Sequence, residues 1–517
     1  MSSIKILWVD DEIDLLRPHL LFLEQRDYKI VPCNNGQDAL TRIKSTLFDA
    51  ILLDENMPGL NGLETLDEIK SISPNLPVIM ITKNEEEQIM ESAIGAKISD
   101  YLIKPVNPNQ ILLALKKLFQ HKDLIQEKTI NNYQQEFRKI SLELNEMATH
   151  EEWTDFYLKM VYWEMELEGL EDLGMLEIFQ NQMKEANRFF SKFISQNYSN
   201  WIQNNSGPLL SNRILKEKLF PKIKTDDEKT TLLLVIDNLR YDQWKMISPI
   251  IQDYYQVEEE LPYFSILPTA THYARNSIFS GLMPSEMQKL HPNLWVNEYE
   301  EGGKNLNERS FLMSQLKRNQ LDLKFNYSKI TNLKAGRELV AQIQNHQKED
   351  LFVLVYNFVD MISHAKTEME IIKELASDNK AFRSLTLSWF KNSPLLEVIQ
   401  KASELGFNLV ITTDHGTINV DQAIEVIGTK ETSMNLRYKT GQSMSYKSKD
   451  VFEIKNPSKL KLPAPHLNSK YIFAKEQGYF VYQNNFNHFA NHFRNTFQHG
   501  GISMEEMIIP FVVMRPR

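Results

Sequence analysis

Short apolar runs recur along this chain, and they alternate with stretches of helical periodicity. Lys5–Val9, Ala50–Leu53, Val78–Ile81 and Tyr101–Ile103 form the first set. Thr231–Ile236, Leu351–Phe358 and Asn408–Thr412 form a second, larger one. Strand-length runs separated by helices are the pattern of parallel α/β sheets.

The texture changes between the two sets. No proline occurs between Pro108 and Pro208, and Gly169 and Gly174 are the glycines before Gly207. Trp153, Phe156, Tyr157 and Trp163 recur near helical spacing, as core residues of packed helices do. Three or four long helices are expected there. The expected organisation is therefore an α/β unit over 1–120, an all-α bundle over 121–205 and a second α/β unit over 206–517. A polar stretch, Thr225–Lys229, leads into the first strand of the third zone.

Length and composition set limits. A chain of 517 residues suits two to four domains. The net charge of −10 disfavours a duplex-DNA regulator, which needs concentrated Lys and Arg. Cys33 is the only cysteine, so neither a disulfide framework nor a thiolate metal cluster is available. The opening MSSIKILWVDDE turns acidic too soon for a signal peptide, and no run approaches the ~18 apolar residues of a membrane span. A cytoplasmic protein is expected.

Acidic residues follow the first strands directly. Asp10 and Asp11 follow the first, Asp54 ends the third, Thr82 the fourth and Lys104 follows the fifth. In a doubly wound sheet such positions meet at the carboxyl edge. Three carboxylates can hold Mg²⁺. The ion and Lys104 can offset charge on a phosphoryl group carried by Asp54, and Thr82 can hydrogen-bond that group. The set resembles the receiver domain of two-component response regulators, with a flavodoxin-like fold. The resemblance implies phosphorylation of Asp54 by a sensor histidine kinase, with Thr82 and Tyr101 as a switch pair. It also implies a metal contact from Asn56 and a cis Lys104-Pro105 peptide.

A second constellation is spread over the third zone. Asp237 ends LLLVID; Asp360 and His364 lie four apart in YNFVDMISH; Asp414-His415-Gly416 follows the next strand; His499 precedes two glycines. Three Asp and three His suit two divalent ions with mixed oxygen and nitrogen ligands, zinc or manganese by ligand type. Two ions about 3.5–4 Å apart can clamp a displacement at phosphorus. LPTATHYARNSIFSGL supplies hydroxyls between the first two acids. The order Asp237, Thr271, Asp360/His364, Asp414/His415, His499 resembles the alkaline phosphatase superfamily. By that resemblance Thr271, ahead of Thr269, is the nucleophile, and Arg275, four residues later, orients the loop or meets phosphate. Asp237, Asp414 and His415 then share one ion, and Asp360, His364 and His499 the other.

IDNLRYDQW, PTATHYARNSIFSG and HGGISMEEMIIP resemble the PglZ family. A receiver joined through a helical bundle to such a domain is the layout of PorX-type response regulators. This resemblance implies a zinc phosphodiesterase acting on cyclic or short linear oligonucleotides, a role in type IX secretion and gliding, and dimers favoured by phosphorylation. The alternative is a non-catalytic adaptor whose metal-bound output domain binds a sigma factor or a secretion component. Between His415 and His499 lies a stretch rich in Lys and Tyr. Arg437, Tyr438 and Lys439 within it are expected to contact a nucleotide, since basic residues among aromatics bind phosphates and stack bases.

Overall fold

The computed structural model describes all residues except 1–3, 84–97, 171–172, 226–228, 370–372, 375, 377 and 430–431; within helices, the side chains of 120–127, 173, 224–225, 364–366 and 368 also fall outside the description. Two compact units divide at Asn132/Tyr133.

The first unit holds a five-stranded parallel sheet in the order β2-β1-β3-β4-β5. The strands are β1 (Ile4–Val9), β2 (Tyr28–Cys33), β3 (Ala50–Asp54), β4 (Val78–Thr82) and β5 (Asp100–Ile103). The central strands β3 and β4 are buried along their whole length, as strands covered on both faces must be. The helix Gly62–Ile72 starts on an Asn61–Glu64 capping box, which satisfies two otherwise orphaned amides.

The second unit begins with helices rather than with a sheet. The helix Pro108–Glu146 crosses the division, and His150–Glu168 and Leu173–Asn204 follow it. Trp153, Phe156 and Tyr157 are buried as their spacing implied, and Trp163 packs partly buried against them. Their cluster is continuous with the core of the sheet that follows, so the helices belong to the same compact unit as that sheet.

That sheet has six strands in the order β7-β18-β10-β6-β9-β8. They are β6 (Thr231–Ile236), β7 (Tyr255–Phe264), β8 (Phe325–Ile330), β9 (Leu351–Tyr356), β10 (Asn408–Thr412) and β18 (Ile508–Pro516). β10, β6, β9 and β8 are mutually parallel; β18 runs antiparallel to both β10 and β7. β7 is therefore parallel to β10 through β18. Its three consecutive glutamates suit an edge strand, where charge blocks further pairing. Glu258 pairs with Arg515, Glu259 with Lys218 and Lys222, and Glu260 with Lys245. Pro510 lies inside β18 opposite Pro262, so neither proline withholds a donor from the other.

Small sheets occupy the stretch between β10 and β18: β11 (Ile418–Val420) with β17 (Thr496–Gln498), β12 (Gln422–Val426) with β16 (Gly478–Tyr482), and β15 (Lys470–Ala474) between β13 (Tyr438–Gly441) and β14 (Val451–Ile454). Among the described residues no helix is long and apolar enough to cross a membrane.

Candidate functional site

Parallel strands bring their carboxyl ends to one edge, and both units gather acids there. In the first unit Asp10, Asp11 and Asp54 offer carboxylate oxygens within 4.8 Å of one another. Lys104 Nζ lies 2.9 Å from both Asp10 Oδ2 and Asp54 Oδ2. Burial raises the Asp54 pKa, helped by the charges of Asp10 and Asp11 and opposed by Lys104. Burial works against the Lys104 ammonium, but bonds to Asp54 and Asp10 win and raise its pKa. Asp54 Oδ1 is buried and takes no hydrogen bond from the described residues, which leaves one oxygen of this carboxylate for an electrophile or ion. Thr82 Oγ1 donates to Glu55, Tyr101 is 40% exposed and Asn56 is exposed. The Lys104-Pro105 peptide is cis.

In the second unit the loops after β6, β7, β9 and β10 and the segment entering β18 all meet at one edge. Asp237 follows β6, Asp360 follows β9 at the start of the helix Phe358–Glu368, and Asp414 and His415 follow β10. Their loops brace one another. Asn238 N donates to Asp414 Oδ1 (3.3 Å), Leu239 N to Thr413 Oγ1 (3.0 Å) and Asn238 Nδ2 to Ser363 Oγ (3.1 Å). Ligand atoms of Asp237, Asp414 and His415 lie within 4.8 Å of one another, and all three residues are fully buried.

Such a cluster is electrostatically unstable alone. Burial raises the Asp237 pKa, and the Asp414 carboxylate adds to it. Asp360 is raised further by burial and by the same two neighbours. Burial pushes His415 down to about 4, toward the neutral form that binds metals. Its Nδ1 faces Gly416 O at 3.0 Å, which leaves Nε2 with the lone pair. Asp414 Oδ2 is buried without a hydrogen bond among the described residues. A divalent cation fits this donor set: it would supply positive charge beyond that of Arg275 to the buried Asp237 and Asp414 and the half-buried Asp360.

Thr271 opens the helix Thr271–Ser280. Its Oγ1 lies 3.1 Å from His415 Nε2 and 3.4 Å from Asp237 Oδ1, at the positive end of that helix. Thr269 points elsewhere: its hydroxyl donates to Gly501 O and accepts from Gly500 N. His499 stacks on His415 with ring centroids 4.1 Å apart, and its Nε2 is 3.9 Å from Asp360 Oδ1. The backbone of His364 belongs to the helix carrying Asp360, but its side chain lies outside the described residues. Gly416 is required by packing, since a Cβ there would lie 2.0 Å from Glu505 O.

Two expectations need correction. Arg275 is completely buried, with Nη1 2.6 Å from Asp237 Oδ2 and Nε donating to Glu308 Oε1 at 2.5 Å. Of its two expected roles it has the surroundings for the first: it fixes the acidic loop from behind, and its burial keeps it from a phosphate that arrives from solvent. Arg437, Tyr438 and Lys439 are also buried rather than offered to a nucleotide. Arg437 is paired with Glu506 at 2.6 Å, Tyr438 OH donates to Glu298 and Lys439 Nζ donates to Ser433 O. Burial lowers the Lys439 pKa to about 7. Composition recorded their charge but not the acids and carbonyls that consume it.

Sequence reasoning also missed Glu308, Glu506 and Glu298, which partner Arg275, Arg437 and Tyr438. Glu308 is 33 residues from Arg275, and no spacing rule links them. His272 stacks on Trp295 at 4.5 Å and places Nδ1 3.3 Å from Glu298 Oε2.

Fold and sites together define a response regulator whose receiver precedes an alkaline phosphatase-like output domain. Residues 6–116 match the response regulator receiver domain, 123–202 the PorX response regulator linker domain and 214–514 the BREX system PglZ alkaline phosphatase-like domain. The last match covers more than half of the chain, and the chain belongs to the PglZ family, in the receiver–linker–PglZ arrangement of PorX-type regulators. The chain is similar to the transcriptional regulatory protein ResD of Bacillus subtilis, 35% identical over 119 residues, 23% of this chain and 49% of that protein. It is also similar to the transcriptional regulatory protein ZraR of Klebsiella oxytoca, 32% identical over 120 residues, 23% of this chain and 27% of that protein. The chain thus spans about a quarter to half of the length of these curated relatives. Among solved structures, the Vibrio cholerae chemotaxis protein CheY4 is 26% identical, covering 22% of this chain and 98% of its own, with a TM-score of 0.22. A receiver domain protein of Methanospirillum hungatei is 27% identical, covering 23% and 96%, with a TM-score of 0.23.

Proposed function

We propose that this protein is a phosphorylation-controlled phosphodiesterase. Its substrates are cyclic or short linear oligonucleotides, and its output regulates type IX secretion and gliding. The observation that carries the reading is the position of Thr271 Oγ1, 3.1 Å from His415 Nε2 and 3.4 Å from Asp237 Oδ1 at a helix N-terminus.

Asp237, Asp414 and His415 would hold one zinc ion, with manganese as the substitute, and Asp360, His364 and His499 a second. Bound there, the ions supply charge that lowers the pKa of a hydroxyl and neutralises phosphoryl oxygens. The Thr271 oxygen gives up its proton and bonds phosphorus while the bond to one nucleoside oxygen breaks, and that oxygen leaves as a hydroxyl after taking a proton from water. Water then cleaves the threonine phosphoester and restores the hydroxyl. Backbone amides at the start of the helix face the developing negative charge. Arg275 acts only through Asp237, which it holds in place.

In the first unit Asp10, Asp11, Asp54 and Asn56 would hold Mg²⁺, and a sensor histidine kinase would donate the phosphoryl group to Asp54. Thr82, Lys104 and Tyr101 respond to it and favour a homodimer.

The test is hydrolysis of a chromogenic phosphodiester and of cyclic oligonucleotides by the zinc-loaded full chain. Thr271→Ala is expected to lose at least about a thousandfold in kcat while remaining folded. Unchanged turnover would remove Thr271 as nucleophile. Full signalling in cells from a folded, inactive Thr271→Ala protein would favour the adaptor that binds a sigma factor or secretion component.

A further inference from the structure

A cavity of about 690 Å³ lies beside the proposed nucleophile, within the range of small-molecule sites. It shares a wall with the catalytic helix. Tyr273, two residues after Thr271, lines it, and Trp295, stacked on His272, lines it too. Residues two apart on a helix point to different sides, so the link to the site runs through the Tyr438 ring rather than along that helix. Tyr438 connects the cavity to the other side of the site: a Cβ on Gly500, next to His499, would lie 2.7 Å from its ring, and its hydroxyl donates to the cavity residue Glu298.

The lining is aromatic with one acid. Tyr299 and Tyr471 add rings to those of Tyr273 and Trp295. Glu298 is the acid, and it is unevenly used. His272 Nδ1 (3.3 Å), Tyr273 OH (3.2 Å) and Tyr438 OH (3.0 Å) all meet Oε2. Among the described residues nothing donates to Oε1. Burial alone would raise the Glu298 pKa, but the contacts from His272 and Tyr438 win and hold it below the ordinary carboxylate range. Thr432, also in the lining, has a buried hydroxyl without a partner among the described residues. The lining lysine, Lys304, spends its ammonium on the carbonyls of Asn297 (2.6 Å) and Glu300 (2.8 Å).

Lys304 keeps its charge and offsets that of Glu298, so the rings and the Glu298 Oε1 acceptor decide the occupant: a flat ring that brings an N–H. The rim agrees, for Tyr299 is 57% and Met434 86% exposed, a large apolar surface to leave in water unless something covers it. We infer that this cavity is a base subsite of the proposed phosphodiesterase: it takes a nucleobase with an exocyclic amine, stacked on its aromatic walls and donating to Glu298 Oε1, while the phosphodiester lies at Thr271. The inference rests on the catalytic reading for its substrate class but can be tested without catalysis.

The experiment is calorimetric binding of adenosine, which carries no phosphate, to the full chain, to its Thr271→Ala variant and after removal of metal by chelation. Adenosine is expected to bind all three alike at millimolar concentration or below. N6,N6-dimethyladenosine, which keeps the ring but has lost the donors, is expected to bind at least about tenfold more weakly, as is adenosine to Glu298→Gln. Tyr299→Ala, at an exposed position that folding does not depend on, is expected to weaken adenosine about five- to tenfold through lost stacking. Equal binding of the dimethylated nucleoside, or an unaffected Tyr299→Ala variant, would overturn the subsite. A protein that cleaves phosphodiesters but binds no adenosine would also overturn it. A protein that binds adenosine in this pattern but cleaves nothing would keep the subsite and sink the catalytic reading.

Discussion

Two acidic sites sit at the carboxyl ends of parallel strands in this chain, and they are built to opposite specifications. In the receiver, Asp11 is exposed and the Lys104 side chain is 17% exposed, so solvent reaches the cluster. In the PglZ domain, Asp237, Asp414 and His415 are fully buried, and the compensating cation, Arg275, is buried with them. Each site pairs acids with a single basic side chain, but dielectric separates them. Water screens the more open cluster; Asp237, Asp414 and His415 sit in lower dielectric and lean more on a resident countercharge. Asp360, 17% exposed, and Thr271 keep the mouth of that site open to solvent. The first arrangement suits a group that comes and goes, the second an ion that stays.

The sharpest way to break this comparison is to delete the cations. Arg275→Ala leaves the buried Asp237 without its cation and Glu308 with only Lys329 and Tyr327, and is expected to cost about 3–5 kcal/mol, against about 1 kcal/mol for Lys104→Ala in the half-open receiver. Urea denaturation followed by tryptophan fluorescence measures both, since Trp8 is the one tryptophan of the receiver and the other six lie in the second unit. Equal losses would show that burial does not separate the sites.

Metal removal gives the next effect. Chelation is expected to lower the stability of the second unit by about 3–4 kcal/mol, the linkage expected of an ion present at a hundred to a thousand times its Kd. Withdrawal of Mg²⁺ is expected to shift the receiver by less than about 1.5 kcal/mol, and Asp54→Asn to abolish that shift. A receiver that responds more strongly than the second unit would invert the argument.

The smallest effect is a pH dependence at Lys439. Its pKa is about 7 when folded against 10.5 as the ordinary value, so the unfolded chain binds more protons between those limits. Stability therefore rises with pH through that window, by at most about 1.4 kcal/mol between pH 7 and 8. Lys439→Met is expected to flatten the slope in denaturation midpoints taken across that range; an unchanged slope would assign it to other groups.

What could be read from the sequence follows from the range of the interactions involved. Asp237, Asp414 and His415 were legible because each directly follows an apolar strand, and parallel sheets bring such ends together. The burial of Trp153, Phe156 and Tyr157 was legible from helical spacing. Arg437 and Lys439 were misread because their partners lie elsewhere: Glu506 is 69 residues from Arg437, and Lys439 donates to a backbone carbonyl that no side-chain pattern marks. Strands β7 and β18 went unrecognised for local reasons. Three glutamates interrupt the apolar signal of one, and Pro510 sits inside the other.

The helices before the catalytic sheet carry one more consequence. Asn187 donates to both oxygens of Glu505 and accepts from Met504 N, Ser191 donates to Ile502 O, and Tyr198 OH accepts from Leu267 N. Glu505 is buried behind Gly416, and Ile502 lies three residues beyond His499. The PglZ match begins at residue 214, downstream of all three donors and acceptors. The inherited module and the folding module therefore have different borders. A chain begun at residue 214 would keep every proposed zinc ligand and Thr271, yet leave the Glu505 carboxylate without its amide, so excision along the family boundary removes the scaffold that the site leans on.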